Sequence, residues 1–496
     1  MLKDIRLFAS TIVVFTIAAL VIGDSGGTRT GIRPTEGPYE PNFSYLAKAR
    51  TARRNQVENY LTKLKKVAGG IATDKKMLSA FNSIRKHDGV PPTQLDMQID
   101  RHFVESYDVF YDILFVDTEG FVFHSIRRES DYHKNIFEGP LAKTQLAHTL
   151  KEAKELVFVD FERYTPSSES GAFFTVPVSS PEESAKHMGW FILQCSLNKL
   201  NSILTSRQGL GRTGETYLVN ESRKMMSHSR FHPQQKSLRL DVETKAVDYA
   251  FSYGEGEQVI KDYRGVHVLS SYEAFEVHGA TWVIVAEIDE DEVITEHFKK
   301  HKAYYLKEFA SLAAGRTPKK KVKPLIRDFQ RVDMNEFAGS HDDILSTKGV
   351  STCTAVSVSL PGKFGYLAHI GPTDRVYGQI NRGYNDRVSE LLHHVQHFDV
   401  YPFEIGKLKM TIVATHDNSL GGIVDRFLDI GANLSQIELA LNQDAKLANV
   451  SLFSKKGAVR IDWIDGKDNA STTFDSELTD LGSFVKELVL KSRNSV

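Results

Sequence analysis

The sequence predicts an α+β protein: a long N-terminal helix, two similar strand-rich modules in tandem, then a compact C-terminal domain mixing strands and helices. Three observations carry this. Val57, Tyr60, Leu61, Leu64 and Val67 recur at three- and four-residue spacing with Lys and Arg between them, which predicts an amphipathic helix from Tyr45 to about Lys86. Strand-like runs then arrive in two sets around short helical segments. Finally, residues 315–327 (GRTPKKKVKPLIR) hold two prolines and a dense basic cluster, the clearest boundary before a third block of strands and helices.

The totals agree with that division. At roughly 150 residues per domain, 496 residues allow about three domains. Hydrophobic residues at 41%, aromatics at 10% and charged residues at 25% exclude a disordered, collagen-like or multi-span membrane chain. Lys plus Arg number 62 against 63 Asp plus Glu, so no global electrostatic case for nucleic acid exists. Two cysteines, Cys195 and Cys353, exclude a disulfide scaffold and any Cys-rich metal site.

Taken in order, Leu7 to Gly23 is uncharged and follows Lys3 and Arg6. Its 17 residues would span about 25 Å as a helix, slightly short of a bilayer core. It is a cleaved secretory signal or an uncleaved anchor, and VIG-DSGG makes a poor cleavage site, which favours the anchor. The rest of the chain is then extracytoplasmic, periplasmic on a single-pass anchor or secreted there if cleavage occurs. Residues 24–42 read as a tether rich in Gly, Pro and Thr. The apolar face of the long helix can be covered by pairing in a homodimer or by its own domain. YDILFVDTEGFVFHSI reads as a hairpin, AFFTVPVSS and MGWFILQCSL as two strands, and NKLNSILTS as a helix. ETYLVN, MMSHS, VHVLSSYEAF and TWVIVAEID form the second set of strands. Beyond a basic linker placed at 298–327, CTAVSVSL, FGYLAHI, KLKMTIVAT, VSLFSK and AVRIDWID read as strands, with NRGYNDRVSELLHHVQHF and GGIVDRFLDIGA as helices.

Gly209-Leu-Gly211-Arg-Thr-Gly214 matches the dinucleotide fingerprint, whose chemistry needs a strand before it and a helix after it. Here the order is inverted, so the glycines read as a joint between modules and no nucleotide cofactor is expected. His393 and His397 have a metal-chelating spacing, but no acidic or cysteine partner stands near them, so no metal site is expected.

GLGRTGETYLVNESRKMMSHSR and DYRGVHVLSSYEAFEVHGATWVIVAEIDEDE resemble the membrane-proximal module of double Cache sensor domains. YDILFVDTEGFVFHSI and LVFVDFERYTPSSESGAFFTVPV resemble the membrane-distal module, and the long helix fits the same pattern. The resemblance covers about residues 40–297. It implies tandem PAS-like modules, distal at 43–215 and proximal at 216–297, and an extracytoplasmic pocket for a small metabolite. Such a pocket needs aromatic walls and a few convergent polar groups, for which Tyr111, Arg128, Asp131, Tyr132, Asp160, Tyr164 and Phe173 are candidates. The Arg-x-Trp-Tyr signature of amino-acid-binding members is absent, which disfavours an amino acid ligand.

In the last domain, 328–496, Thr347, Cys353 and His369 could form a catalytic set. A cysteine nucleophile needs a base to take its proton and a group to orient that base. Backbone N–H donors for the attacked carbonyl could come from the turn at Ser351 and Thr352. A lone cysteine before a strand can equally be a small buried hydrophobe. Thr347-Lys-Gly349-Val-Ser-Thr-Cys353 and Gly365-Tyr-Leu-Ala368-His369 resemble the two blocks of the chemoreceptor glutamine deamidase family, over about residues 330–465. That family implies an α/β sandwich in which Cys353 attacks a side-chain amide, His369 is the base and Thr347 orients it. Ser351 and Thr352 stand where the family has Gly and Ser, and Ile370-Gly371-Pro372 replaces Met-Leu-Pro. The family acts on chemoreceptors inside the cell, whereas a single N-terminal apolar segment places this domain outside. Its partner is then an extracytoplasmic protein substrate, or the domain is a docking module. A Cys195–Cys353 bridge is the remaining alternative.

Overall fold

A computed structural model describes residues 34, 37–86, 93–180, 186–206, 210–314, 329–371, 383–464, 471–473 and 478–493. The apolar segment 7–23, most of the tether, Gly209 and the basic run at 315–327 lie outside the described residues. Among the described residues no helix is long and apolar enough to cross a membrane.

Helix α1 (Tyr39–Ile71) is 33 residues long, about 50 Å. It buries Phe43, Leu46, Val57, Leu61, Leu64 and Ala68 along one stripe. The expected single helix to Lys86 is corrected here. The chain breaks after Ile71, and Asp74 Oδ1 accepts the Lys76 and Met77 N–H groups at 2.8 and 3.3 Å. That capping carboxylate starts a new helix, α2 (Lys75–Lys86). Helix α3 (Thr93–Ser106) follows.

The first sheet contains β1 (Phe110–Asp117), β2 (Val122–Ser125), β3 (Val157–Tyr164), β4 (Glu169–Ser179) and β5 (His187–Cys195) in the order β2-β1-β5-β4-β3. All its pairings are antiparallel. One face packs on α1 and α2 through Phe115, Phe174, Phe191 and Leu193. The other face carries Leu114, Val159 and Ile192 beneath α4 (Gln145–Glu152). Helix α5 (Leu197–Leu204) leads to the second sheet.

That sheet holds β6 (Glu215–Val219), β7 (Glu255–Lys261), β8 (His267–Val277) and β9 (Ala280–Asp289), ordered β6-β9-β8-β7, with α6 (Lys245–Tyr253) on one face. MMSHS, expected as a strand, makes a single isolated bridge instead, because the turn from Asn220 to Lys224 folds Met225 back onto Val219. The glycine-rich segment is a small anion nest filled from within. The N–H groups of Arg212 and Thr213 each donate to the Glu292 carboxylate at 2.7 Å. Glu292 lies on α7 (Glu290–Ala314), a helix occupying the first part of the stretch read as a linker.

The remaining chain forms two sheets. One contains β10 (Gln330–Arg331), β12 (Ile344–Val350), β17 (Leu447–Phe453), β18 (Ala458–Ile464) and β19 (Ser471–Thr473). The other contains β11 (Glu336–Ser340), β13 (Thr354–Leu360), β14 (Phe364–Ile370), β15 (Lys409–Ala414), β16 (Ile437–Leu441) and β20 (Thr479–Asp480). Leu345, Leu367, Val413, Val450 and Trp463 fill the space between them. Helices α8 (Gly383–His394), α9 (Leu420–Asp429) and α10 (Leu481–Arg493) cover the outer face of the six-stranded sheet, giving a helix–sheet–sheet order. Their core is continuous with α7, the start of α1 and residues of β8 and β9. Polar contacts reinforce this junction: Arg212 donates to Gly431 O and Asn433 Oδ1, and Lys486 bridges Glu290 and Asp291.

Candidate functional site

Two buried polar clusters stand out, one on the outer face of the first sheet and one between the two C-terminal sheets. In the first, Asp112 of β1 is registered with Gln194 of β5, which is registered with Phe173 of β4. Strand alternation sets this row on the face of Leu114 and Ile192, away from α1. Asp112 is 1% exposed. Its Oδ2 accepts from Ser125 Oγ at 2.8 Å and its Oδ1 from the Ile113 and Arg127 N–H groups at 2.7 and 3.1 Å. Burial outweighs those donors and pushes its carboxyl up to about 7. Asp131, also 1% exposed, accepts from Tyr164 OH at 2.7 Å through Oδ2, while its buried Oδ1 has no hydrogen-bond partner. Burial raises this carboxyl too. The Tyr164 ring meets Phe173 edge to face, with centroids 4.9 Å apart.

The structure therefore brings Asp131, Tyr164 and Phe173 together. Tyr111 donates to Glu129 Oε1 at 2.7 Å, beneath the Arg127 guanidinium. Arg128 is exposed at φ +53°, with its N–H given to Ser125 Oγ at 2.8 Å. Tyr132 lies on the ring of His133, their centroids 3.8 Å apart. Asp160 lies elsewhere: its Oδ1 accepts from Trp282 Nε1 of β9 at 3.0 Å, tying the first sheet to the second. Burial pushes Asp160 up to about 6. Sequence reasoning missed Asp112, Ser125 and Gln194. An acid and an amide inside the apolar strands YDILFVD and FILQC were the available signal.

In the second cluster, Ala355 of β13 is registered with His369 of β14, and Cys353 stands two residues before Ala355. Cys353 thus shares the sheet face of His369, the one turned toward the five-stranded sheet. Thr347 comes from that facing sheet, where the β12 register shifts between Thr347 and Val350 and Gly349 takes φ +78°. A bulge of this kind re-aims the side chains beside it. Thr347 Oγ1 and His369 Nδ1 are 2.7 Å apart, and both residues are buried. His369 Nε2 is buried with no hydrogen-bond partner. Burial lowers the histidine pKa, opposed by Asp333, and so favours the neutral ring.

Cys353 is 7% exposed and its thiol points at Met334 Sδ, 3.7 Å away, not at His369. Burial pushes the thiol up, partly offset by contacts with Thr352 and Ser351. Met334 is 56% exposed and held across the site by its bridge to His369 and by Asn335 N–H donating to His369 O at 2.7 Å. Chemically the pieces complement one another: a thiol that does not ionise unaided, and a neutral imidazole with a free nitrogen. Cys195 is buried in the core between the first sheet and α1, and both cysteines are free, so the bridge considered above does not form.

Among solved structures, this chain is similar to an extracellular ligand-binding receptor from Desulfohalobium retbaense, at 14% identity and a TM-score of 0.31. That match covers 46% of this chain and 39% of the receptor chain. The periplasmic sensory domain of the Campylobacter jejuni chemoreceptor Tlp1 matches at 12% identity and a TM-score of 0.38, covering 52% of this chain and 98% of that one. The ligand-binding domain of the Pseudomonas aeruginosa amino acid chemoreceptor PctC, in complex with GABA, matches at 14% identity and a TM-score of 0.34. It covers 50% of this chain and 100% of that one. No curated protein matches the sequence. A family model described as Cache domain matches residues 44–296. The chain belongs to the Cache domain family, a family of extracytoplasmic sensor domains.

Proposed function

We propose that this protein is an extracytoplasmic small-molecule sensor, held at the membrane by residues 7–23, whose C-terminal domain hydrolyses the side-chain amide of glutamine in a protein substrate. In this reading residues 43–215 take the ligand, 216–297 relay its binding, and 328–496 carry the chemistry. The observation supporting the chemistry is the 2.7 Å contact of Thr347 Oγ1 with His369 Nδ1, which leaves Nε2 free on the sheet face of Cys353.

The steps follow from those groups. With its Nδ1 proton given to Thr347 Oγ1, His369 keeps a lone pair on Nε2 and can take the thiol proton once Cys353 turns toward it. The thiolate attacks the amide carbon, and the imidazolium returns the proton to the departing nitrogen as ammonia leaves. Water then hydrolyses the thioester to a carboxylate and restores the thiol. The test is ammonia release from glutamine-containing periplasmic proteins by the full chain. Release that vanishes in Cys353→Ala supports the proposal, and equal release from that variant sinks it.

Asp131 and Tyr164 support the sensing half. A buried carboxylate oxygen with no partner suits a ligand that brings a hydrogen-bond donor or a positive charge. A metabolite screen should find a compound that raises the melting temperature of the full chain and does so much more weakly in Asp131→Asn. A screen with no such compound counts against sensing.

A second reading is favoured by the Cys353 contact with Met334: the C-terminal domain is an inert docking module and the thiol a packed hydrophobe. It predicts that ligand response survives Cys353→Ala and that no ammonia appears.

A further inference from the structure

Arg50, Arg53 and Arg54 leave neighbouring positions of α1 but are compensated differently. Arg50 lies 2.8 Å from Glu255 Oε2 and 3.2 Å from Glu273 Oε2, and it also donates to Ser271 Oγ and the Tyr272 carbonyl. Arg54 pairs with Glu273 and Glu58. Arg53 is 8% exposed, as sequestered as Arg50, yet among the described residues no carboxylate pairs with it. Its hydrogen bond runs from Nη2 to the neutral Ser206 carbonyl at 3.3 Å, and its Nε is sealed from water without a partner. A largely buried guanidinium without a counter-charge is costly, so the group favours an anion entering from the groove it borders.

The surroundings fit an incoming anion. Arg53 borders an open groove of about 790 Å³ between α1 and α5. Gln56, Asn59 and Lys63 follow Arg53 along α1 at helical spacing, and Lys199 faces them from α5. Asp108 is the one carboxylate among the described lining residues. A planar guanidinium with flanking amides and ammonium groups matches carboxylate or phosphate oxygens. The groove lies on the α1 side of the first sheet, opposite Asp112 and Asp131.

We propose that the groove between α1 and α5 binds a small oxyanion, the carboxylate or phosphate group of a metabolite, with Arg53 as its buried anchor and Lys63 and Lys199 as outer contacts. The test uses the full chain titrated with inorganic phosphate and, separately, with succinate, at ionic strength held constant with sodium chloride. Calorimetry and melting temperature are the readouts. Saturable binding of at least one probe is expected, weakened about tenfold or more in Arg53→Gln and about threefold in Lys199→Glu. Lys199 is exposed, so that variant decides the question if Arg53→Gln does not fold. Binding of one probe alone assigns the headgroup. The proposal is overturned if neither probe binds saturably, or if binding is unchanged in both variants. It is equally overturned if binding survives both and disappears in Asp131→Asn, because the response then belongs to the outer-face cluster.

Discussion

The outer-face cluster and the cysteine cluster are both buried, but burial has opposite consequences in them. Around Asp112 and Asp131 it holds two acids away from water and raises both carboxyls. Around Cys353 and His369 it favours the neutral thiol and the neutral imidazole. The first arrangement leaves one carboxylate oxygen, Asp131 Oδ1, without a donor, which the sensing proposal assigns to the ligand. The second holds one unused basic nitrogen, His369 Nε2, to which the proposed chemistry gives the thiol proton. The first cluster is built on one sheet and the loop beside it, whereas the second needs two sheets to meet.

That contrast can be broken most sharply at the cysteine. If the cluster moves protons, Cys353→Ala lowers ammonia release by a factor of about 10³ or more. Thr347→Val leaves His369 Nδ1 without its partner. It is expected to cost about 10- to 100-fold in rate, with the acidic limb of the rate profile displaced. A rate unchanged by Thr347→Val would remove the orienting role. On the acid side, Asp131→Asn should weaken ligand-induced stabilisation about tenfold, and an unchanged response would detach Asp131 from the ligand. Met334→Ala uncovers the thiol, so Cys353 should react several times faster with a disulfide reagent; an unchanged rate would mean Met334 does not shield it.

The smallest expected effect concerns pH. Glu287, in the second sheet, is pushed up to about 8 by burial, with Tyr217 OH and Ser270 Oγ donating to it. Its folded pKa exceeds its unfolded value, so its contribution to stability is complete at low pH and is lost as pH rises through about 8. Melting temperature should therefore fall from pH 5 to pH 9, and Glu287→Gln should flatten that fall by a few degrees. An equally steep fall in the variant would show that other groups dominate.

Much of the fold was legible because strands and helices advertise themselves locally. The hairpin YDILFVDTEGFVFHSI and the strand TWVIVAEID are apolar runs that become β1, β2 and β9. The break after Ile71 escaped because it depends on the Asp74 side chain turning to cap the next helix. MMSHS misled because its apolar residues are buried by a turn, not by a ladder. Asp160 lies apart from the Asp131 cluster for a related reason: strand sequence does not reveal which neighbouring sheet a half-buried acid will face, and it meets Trp282.

The sequence alone determined the Cache half, most of its strands and the order Thr347, Cys353, His369, because hydrophobic periodicity and residue spacing are properties of the chain itself. Which atoms meet was decided only in three dimensions. The bulge in β12 brings Thr347 against His369, Met334 lies over the thiol, Glu292 fills the glycine-rich nest, and Arg53 is buried away from the carboxylates that its neighbours Arg50 and Arg54 find. Those outcomes depend on the packing of elements distant in sequence, where burial sets the charge and proton affinity of each group.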